Sequence, residues 1–421
     1  MSSAYLPNFS YLFVPFTTKK HELFSDFYNS ISNNGWHPLN INNRYLHRYV
    51  VEKSHINSIS NATRFLLDKD FAAAQGVPIE SVVYSTQEHE YKGKEKQRFY
   101  FTIDSVELFV FDTSICILAF KLCFEKTDPF AIAAAQYFLR KISTEKIFCN
   151  DTPTNQEGES FVGLSEKLLS NASENIPLDF FFYAAANNEK ANFLTYIDVP
   201  QQKDYHKELF FLKWCYNNNF DYYDDCNEGD SEIYQANPNV FWGISASAAV
   251  CLVNKSEARA PFIENVFQDN FQKHYLMTYI LLLHQKYMMY LFLTKMSVGL
   301  EGNLEQLKQY KEMLYDFESH YMFSYISEIP QYQRFYSKTR ELFSLDALFR
   351  DVQEPLLQLM EIKNRQDEEA QRRREQQIST SLSALSLLTI VSALTDATGI
   401  TSNLGWIIPE SIARYIQLSL F

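Results

Sequence analysis

The spacing of hydrophobic and polar residues along this chain changes near residue 262. Before that point, short apolar runs are separated by polar turns, which is typical of β-strands, and helical stretches lie between them. Beyond it, apolar residues recur at steps of three and four, which is typical of long helices. The pattern therefore predicts a sheet-containing part followed by a helical part.

The clearest strand pattern lies at 98–124, where the runs VELFVF and ICILAFKLCF flank a polar turn at 112–114. Two apolar runs joined by a short polar turn predict a β-hairpin. Both faces of these strands are apolar, so we expect other layers of structure to cover both sides. A helix is predicted next over 128–142, because Asp128 can cap its start and Pro129 suits its first turn.

The other elements of the N-terminal part complete a mixed arrangement. A helix is predicted over 21–32, ending at Asn34 and Gly35. Strand, helix, hairpin and helix in that order predict an α+β fold, whose N-terminal part is an α/β sandwich with ferredoxin-like elements. Further strands are predicted at 11–16, 44–51, 180–187, 192–199 and 239–253.

Three long helices are predicted in the second part. The stretch 271–297 is apolar nearly all round, but Lys and His residues interrupt it, which favours a buried bundle helix over a membrane span. A second helix is predicted over 303–327. The third carries the heptad seam of a coiled coil or stalk, with Pro355 predicting a kink or restart. The seam consists of Leu342, Leu345, Phe349, Val352, Leu356 and Leu359.

An apolar segment closes the chain. The 18 residues from Ile378 to Thr395 carry no charge, and nine of the 23 residues at 378–400 are Ser or Thr. The predicted organisation is therefore a cytoplasmic α/β domain over 1–262, a long-helix bundle or stalk over 263–377, and a membrane or buried apolar segment over 378–421.

Charged residues beside this segment bear on whether it crosses a membrane. Arg372, Arg373 and Arg374 precede it, as expected for a cytoplasmic N-terminal side under the positive-inside rule. Asp396 is costly in a bilayer unless it faces a lumen or a partner. The remainder, 405–421, is too short for a straight second span and is typical of an interfacial amphipathic helix. A membrane span and a buried helix both remain open.

Composition excludes several classes of function. The net charge of −13 argues against broad nucleic-acid binding. The six cysteines form no CxxC motif, which indicates a reducing cytoplasm, and the N-terminus lacks the features of a signal peptide. No phosphate-binding glycine motif, GxSxG motif or zinc-protease motif occurs, and the nine histidines are interpreted as surface or core residues. We therefore expect a protein that is not an enzyme.

One acidic stretch is a candidate metal site. Carboxylate oxygens are ligands for hard cations, although the spacing here lacks the order of an EF-hand loop. The alternative is a solvated loop that adds to the net charge. The candidate ligands are Asp221, Asp224, Asp225 and Glu228.

The layout of α/β domain, helical stalk, basic cluster and apolar C-terminal segment resembles the CorA-like family of divalent-cation transporters. That family ends its first membrane helix with a run resembling TIxxPLTxxxGIxGMN. Here the Gly-Met-Asn loop reads Thr401-Ser402-Asn403, one residue short of register, Ala393 replaces the proline, and the second membrane helix is truncated. The matching residues are Thr389, Ile390, Leu394, Thr395, Gly399, Ile400 and Asn403.

The resemblance implies a homo-pentamer attached to the inner (plasma) membrane by its C-terminus, with Mg²⁺ as the transported or regulatory ion. Ser392 and Asp396 would line the pore, and Asn403 would lie in the loop at its mouth. Two alternatives remain. Similar proteins act as membrane effectors in nucleotide-signalled, CRISPR-type phage defence, which implies a small nucleotide ligand for the α/β domain. The second alternative is a soluble, cytoplasmic helical interaction protein without transport activity.

Overall fold

The computed structural model has the mixed α+β architecture that the sequence predicts. A twelve-stranded sheet forms the N-terminal part, and long helices form the C-terminal part. The chain divides into two compact units, Met1–Glu301 with Gln309–Pro355, and Gly302–Lys308 with Leu356–Phe421. The structure describes residues 8–19, 23–31, 34–39, 45–53, 62–80, 82–90, 96–125, 128–149, 158–184, 189–200, 205–217, 220–222, 232–254, 260–299 and 304–402.

The strands belong to one sheet, in which β9 and β12 pair in parallel and the other strand pairs of the described chain are antiparallel. Their main order is β10-β11-β12-β9-β1-β6-β5-β3-β2, with β4, β7 and β8 beside this path. The strands are β1 (Asn8–Thr18), β2 (Trp36–Leu39), β3 (Ala62–Leu67), β4 (Val83–Thr86), β5 (Tyr100–Phe111), β6 (Ile115–Phe124), β7 (Ile147–Cys149), β8 (Leu178–Asp179), β9 (Asn192–Val199), β10 (Ile233–Asn237), β11 (Val240–Ile244) and β12 (Ala248–Asn254).

The described part of the chain has twelve α-helices, and the longest of them lie in its C-terminal part. Two π-helical turns, Ile263–Phe267 and Phe271–Tyr275, join the seventh, eighth and ninth of them. The helices are α1 (Phe24–Ile31), α2 (Arg48–Lys53), α3 (Lys69–Ala74), α4 (Pro129–Leu139), α5 (Phe161–Leu169), α6 (His206–Trp214), α7 (Ala260–Phe262), α8 (Gln268–Asn270), α9 (Leu276–Gly299), α10 (Leu304–Tyr321), α11 (Pro330–Leu342) and α12 (Leu345–Ser402).

The predicted ferredoxin-like elements form the centre of the sheet. Four central strands lie in the order β9-β1-β6-β5, each antiparallel to its neighbour. In chain order these are the fourth, first, third and second strands, with α1 after the first and α4 after the third. This is the arrangement of a β-α-β-β-α-β unit. The strands at either side extend that unit into a much wider sheet.

The β5–β6 hairpin and the helix after it are confirmed as predicted. The turn closes when the Ser114 amide donates to the Phe111 carbonyl at 3.0 Å, with Ser114 in the left-handed region at φ 70°. Asp128 caps α4, since its Oδ1 accepts from the Phe130 amide at 3.3 Å, and Pro129 is the first helical residue. Local residue chemistry therefore determines this part of the fold.

Helices cover both faces of the sheet, as the two-sided apolar strands predict. On one face, Phe16 packs against Phe27 of α1 with ring centroids 5.9 Å apart. On the other face, Phe13 packs against Tyr279 of α9 at 5.5 Å. Helix α9 is buried along most of its length, which confirms a core helix here.

Two predicted strands are wrong. In the predicted strand at 44–51, the described residues 45–51 run into α2, where the Val51 amide donates to the His47 carbonyl and the Val50 side chain is buried. In the predicted strand at 180–187, the described residues 180–184 form a turn, and 185–187 lie outside the described residues. The aromatic side chain of Phe182 packs against Tyr287 of α9 there, so its burial needs no strand partner.

The predicted heptad seam is interrupted. Ser344 adopts φ 53°, so α11 ends at Leu342 and a new helix begins at Leu345. Helix α12 continues through Pro355, which excludes a restart at that position. Helix α10 also ends at Tyr321, earlier than the predicted residue 327.

Candidate functional site

Helix α12 exposes an apolar surface in the last part whose side chains the structure describes. From 378 to 394, hereafter the apolar segment, its large aliphatic side chains are between 55% and 63% exposed. Such side chains normally lie in a core, and a continuous exposed group of them indicates an interaction surface. They are Ile378, Leu382, Leu385, Leu387, Leu388, Ile390 and Leu394.

Several hydroxyl groups of the apolar segment donate hydrogen bonds within the helix. Thr380 Oγ1 donates to the Gln376 carbonyl at 2.7 Å, and Ser381 Oγ donates to the Gln377 carbonyl at 2.8 Å. Thr389 Oγ1 donates to the Ser386 carbonyl, also at 2.8 Å. A hydroxyl bonded in this way needs no water, so the helix can enter an apolar environment without leaving these groups unpaired.

Among the described residues, one helix, Leu345–Leu394, is long and apolar enough by length and composition to cross a membrane. The predicted basic cluster, Arg372, Arg373 and Arg374, is exposed on α12 just before the apolar segment. Ser392 is also exposed. Asp396 belongs to α12, but its side chain and the whole of Asn403 lie outside the described residues, so the predicted pore group stays a prediction.

The predicted acidic metal site is represented by one residue. Asp221 is exposed, whereas Asp224, Asp225 and Glu228 lie outside the described residues. Within the described ranges, no group of three or more His, Cys, Asp or Glu side chains is placed to hold a metal ion.

A second feature, which the sequence analysis did not identify, is a cleft of about 230 Å³ in the first unit. We name it the cationic cleft. The parallel pairing of β9 with β12 creates it, because Phe193 lies opposite Ala248 and the residues before both strands meet at one edge. The cleft is lined by Arg140, Tyr183, Lys190, Ala191, Asn192, Ala246, Ser247, Lys286, Tyr287 and Tyr290.

Lys286 of α9 supplies a buried charge to this cleft. Its Nζ donates to Asn192 Oδ1 at 3.3 Å and to the Ala246 carbonyl at 3.2 Å, and both acceptors are neutral. Its Nζ also lies 4.5 Å from the ring centroid of Phe343. No ion pair joins Lys286 to a carboxylate in the described part of the chain. Burial lowers the pKa of Lys286 to about 8, so the amine is still mostly protonated at pH 7.

The tyrosines of the cleft provide neutral hydrogen-bond donors. Tyr287 Oη donates to Asn192 Oδ1 at 3.1 Å, and Asn192 Nδ2 donates to the carbonyls of Ala246 and Ser247 at 2.8 and 3.1 Å. Burial raises the pKa of both Tyr183 and Tyr287 well above the usual range, so neither ionises near neutral pH. Asn192 therefore holds the turn before β12 and the cleft's side chains in one network.

Three consecutive polar residues of α9 point in three directions, because successive residues are about 100° apart around an α-helix. Gln285 Nε2 donates to the Tyr321 carbonyl at 2.5 Å, and Lys286 faces the cleft. His284 Nε2 lies 2.7 Å from Thr113 Oγ1 in the hairpin turn, and its ring stacks on Phe111 at 3.9 Å. Burial lowers the pKa of His284 to about 3, so it is a neutral core residue.

No family model, curated protein or solved structure matches this chain. The resemblance to the CorA-like family therefore stays a prediction that rests on the residues at 389–403.

Proposed function

We propose that the protein is a membrane-attached homo-oligomer, with the apolar segment of α12 in the bilayer and the α+β unit in the cytoplasm. The observation that supports this most directly is the continuous exposure of seven large aliphatic side chains over 378–394. Moving each from water to lipid is worth about 1 kcal/mol or more, so the set contributes on the order of 10 kcal/mol. The exposed arginines before it favour a cytoplasmic side at that end.

We further propose that the hydroxyl-bearing residues of several copies line a cation path, with Ser392 and Asp396 in the lumen and Asn403 near its mouth. A ring of carboxylates would attract cations such as Mg²⁺, the ion of the family that the chain resembles. A pentamer is the assembly that this resemblance implies. The oligomer also gives the polar residues of the segment a surface that avoids lipid.

Membrane fractionation with an alkaline carbonate wash tests the attachment. The full chain is expected in the washed pellet, and a chain ending at Gln377 in the supernatant. A sharper test replaces Leu385 and Leu388, both 57% exposed, with Lys in the full chain. Lysine at the centre of a span costs about 3 kcal/mol per residue, so the double variant should leave the membrane.

The matched control is Ile362→Lys, because Ile362 is 52% exposed on the same helix but lies among charged residues outside the apolar segment. This variant should stay in the pellet. Recovery of the unmodified full chain in the supernatant without detergent would refute membrane attachment and favour the soluble interaction protein.

Reconstitution in vesicles tests the cation path separately. Light scattering of the detergent-solubilised protein gives the number of copies, and a Mg²⁺-sensitive dye inside the vesicles reports flux. Asp396→Asn should reduce that flux without changing the number of copies. A protein that inserts but carries no Mg²⁺ would contradict the transport proposal and favour a membrane effector.

A further inference from the structure

The cationic cleft holds more positive than negative charge. Arg140, Lys190 and Lys286 line it, and Glu189 is the buried carboxylate beside Tyr183 at its edge. Glu189 Oε2 accepts a hydrogen bond from Ser143 Oγ at 2.6 Å. By formal charge, three positive groups against one negative group leave about two positive charges at the cleft. Lys190 is exposed to water, whereas the buried ammonium group of Lys286 normally requires an anionic partner.

Two hydrogen-bond donors at the cleft are available to a ligand. An ammonium group has three protons, and Lys286 uses two of them on Asn192 and Ala246. The buried hydroxyl of Tyr183 has no hydrogen-bond partner within the described residues. Buried polar groups are normally paired, so an unpaired tyrosine hydroxyl in the cleft that also holds the buried Lys286 indicates that a ligand completes the network.

We propose that the cationic cleft binds the phosphoryl group of a small phosphorylated ligand, with Lys286 and Tyr183 donating to its oxygens and Arg140 and Lys190 neutralising its charge at the rim. A phosphate monoester carries nearly two negative charges at neutral pH and so matches the excess charge, whereas a monocarboxylate does not. Lysine and arginine are the side chains that bind phosphate most often. A cleft of about 230 Å³ holds a small ligand only.

This proposal does not depend on membrane attachment, since every residue involved belongs to the first unit. Titration calorimetry on the full chain in detergent, with inorganic phosphate as the probe at pH 7 and constant ionic strength, measures the affinity directly. Phosphate should bind, and acetate at the same concentration should bind at least about tenfold more weakly, because one negative charge leaves the excess uncompensated.

Two variants and a matched control locate the site. Lys286→Met keeps the length of a buried side chain and removes its charge, so phosphate affinity should fall about tenfold or more. Lys190→Gln alters an exposed side chain, leaves folding intact, and should weaken binding several-fold, about the effect of one rim charge. Lys295→Met, on the same helix and outside the cleft, should bind phosphate like the unmodified protein.

Three results would overturn the proposal. They are no binding of phosphate to the unmodified chain, binding of acetate as tight as that of phosphate, and unchanged phosphate affinity in both Lys190→Gln and Lys286→Met. If Lys286→Met does not fold, Lys190→Gln against unmodified protein decides the matter by itself.

Discussion

Acidification should destabilise the first unit through His284, because the folded protein holds this histidine neutral. Its ring is fully buried against Phe111, and burial lowers its pKa from 6.5 to about 3. Between those two values the unfolded chain binds a proton that the folded chain does not. The free energy of unfolding therefore falls as the pH decreases from 6.5 towards 3.

The magnitude follows from the difference in pKa. Each tenfold change in proton affinity is worth about 1.4 kcal/mol, so the His284 contribution lost by pH 3 is roughly 5 kcal/mol. At pH 4.5 the same reasoning gives about 3 kcal/mol. Because the His284 side chain is fully buried, water does not screen this contribution to the free energy of unfolding.

Urea unfolding at pH 7.0 and pH 4.5 measures this contribution as a difference between proteins. In His284→Gln the acid-dependent loss should be smaller than in the unmodified chain by about 3 kcal/mol, because carboxylate effects are common to both and cancel. His320→Gln changes a histidine on α10 whose side chain is 40% exposed, and it should show the full loss. An equal loss in His284→Gln and the unmodified chain would refute the assignment of a neutral, buried His284.

Other substitutions test packing and charge burial within the first unit. The buried Arg64 guanidinium donates from Nη2 to Glu107 Oε1 at 2.7 Å, so Glu107→Gln removes its counter-charge and should cost about 3 kcal/mol or more in urea unfolding. Glu341→Gln, in an exposed pair with Lys338, should cost under about 1 kcal/mol, and equal losses would contradict the buried pair. Lys286→Met should raise the free energy of unfolding at pH 7 by up to roughly 3 kcal/mol, because the folded state no longer holds a charge whose pKa burial lowers to about 8. That gain should shrink between pH 8 and pH 9.5, and a pH-independent difference would contradict it. Ser344→Gly should stabilise by up to about 1 kcal/mol in thermal unfolding, since glycine adopts φ 53° without strain, and Ser344→Val should destabilise.

Local residue patterns account for the parts of the fold that the sequence predicts correctly. The β5–β6 hairpin depends on a polar turn between two apolar runs, and α4 depends on Asp128 and Pro129 at its start. The apolar segment at 378–394 is also visible from sequence, because its composition alone distinguishes it from the charged residues before it. Each of these signals lies within about twenty residues of chain.

The cationic cleft has no comparable local signal. Asn192 and Lys286 are 94 residues apart, and they meet only because β9 pairs in parallel with β12 while α9 packs over that edge of the sheet. A buried lysine in an apolar helix indicates a partner but does not say which strand provides it. Likewise, apolar residues at 48–53 suit a strand or a helix, and contacts from the rest of the fold select the helix.

The sequence by itself therefore determined the mixed α+β class, the central hairpin, the buried helix α9 and the apolar composition of 378–394. Those features arise from side-chain periodicity and turn chemistry, which act over short distances along the chain. The tertiary structure alone decided the width of the sheet, the break at Ser344 and the assembly of the cationic cleft. These features depend on pairing between distant segments. That pairing becomes favourable only when the rest of the core forms with it.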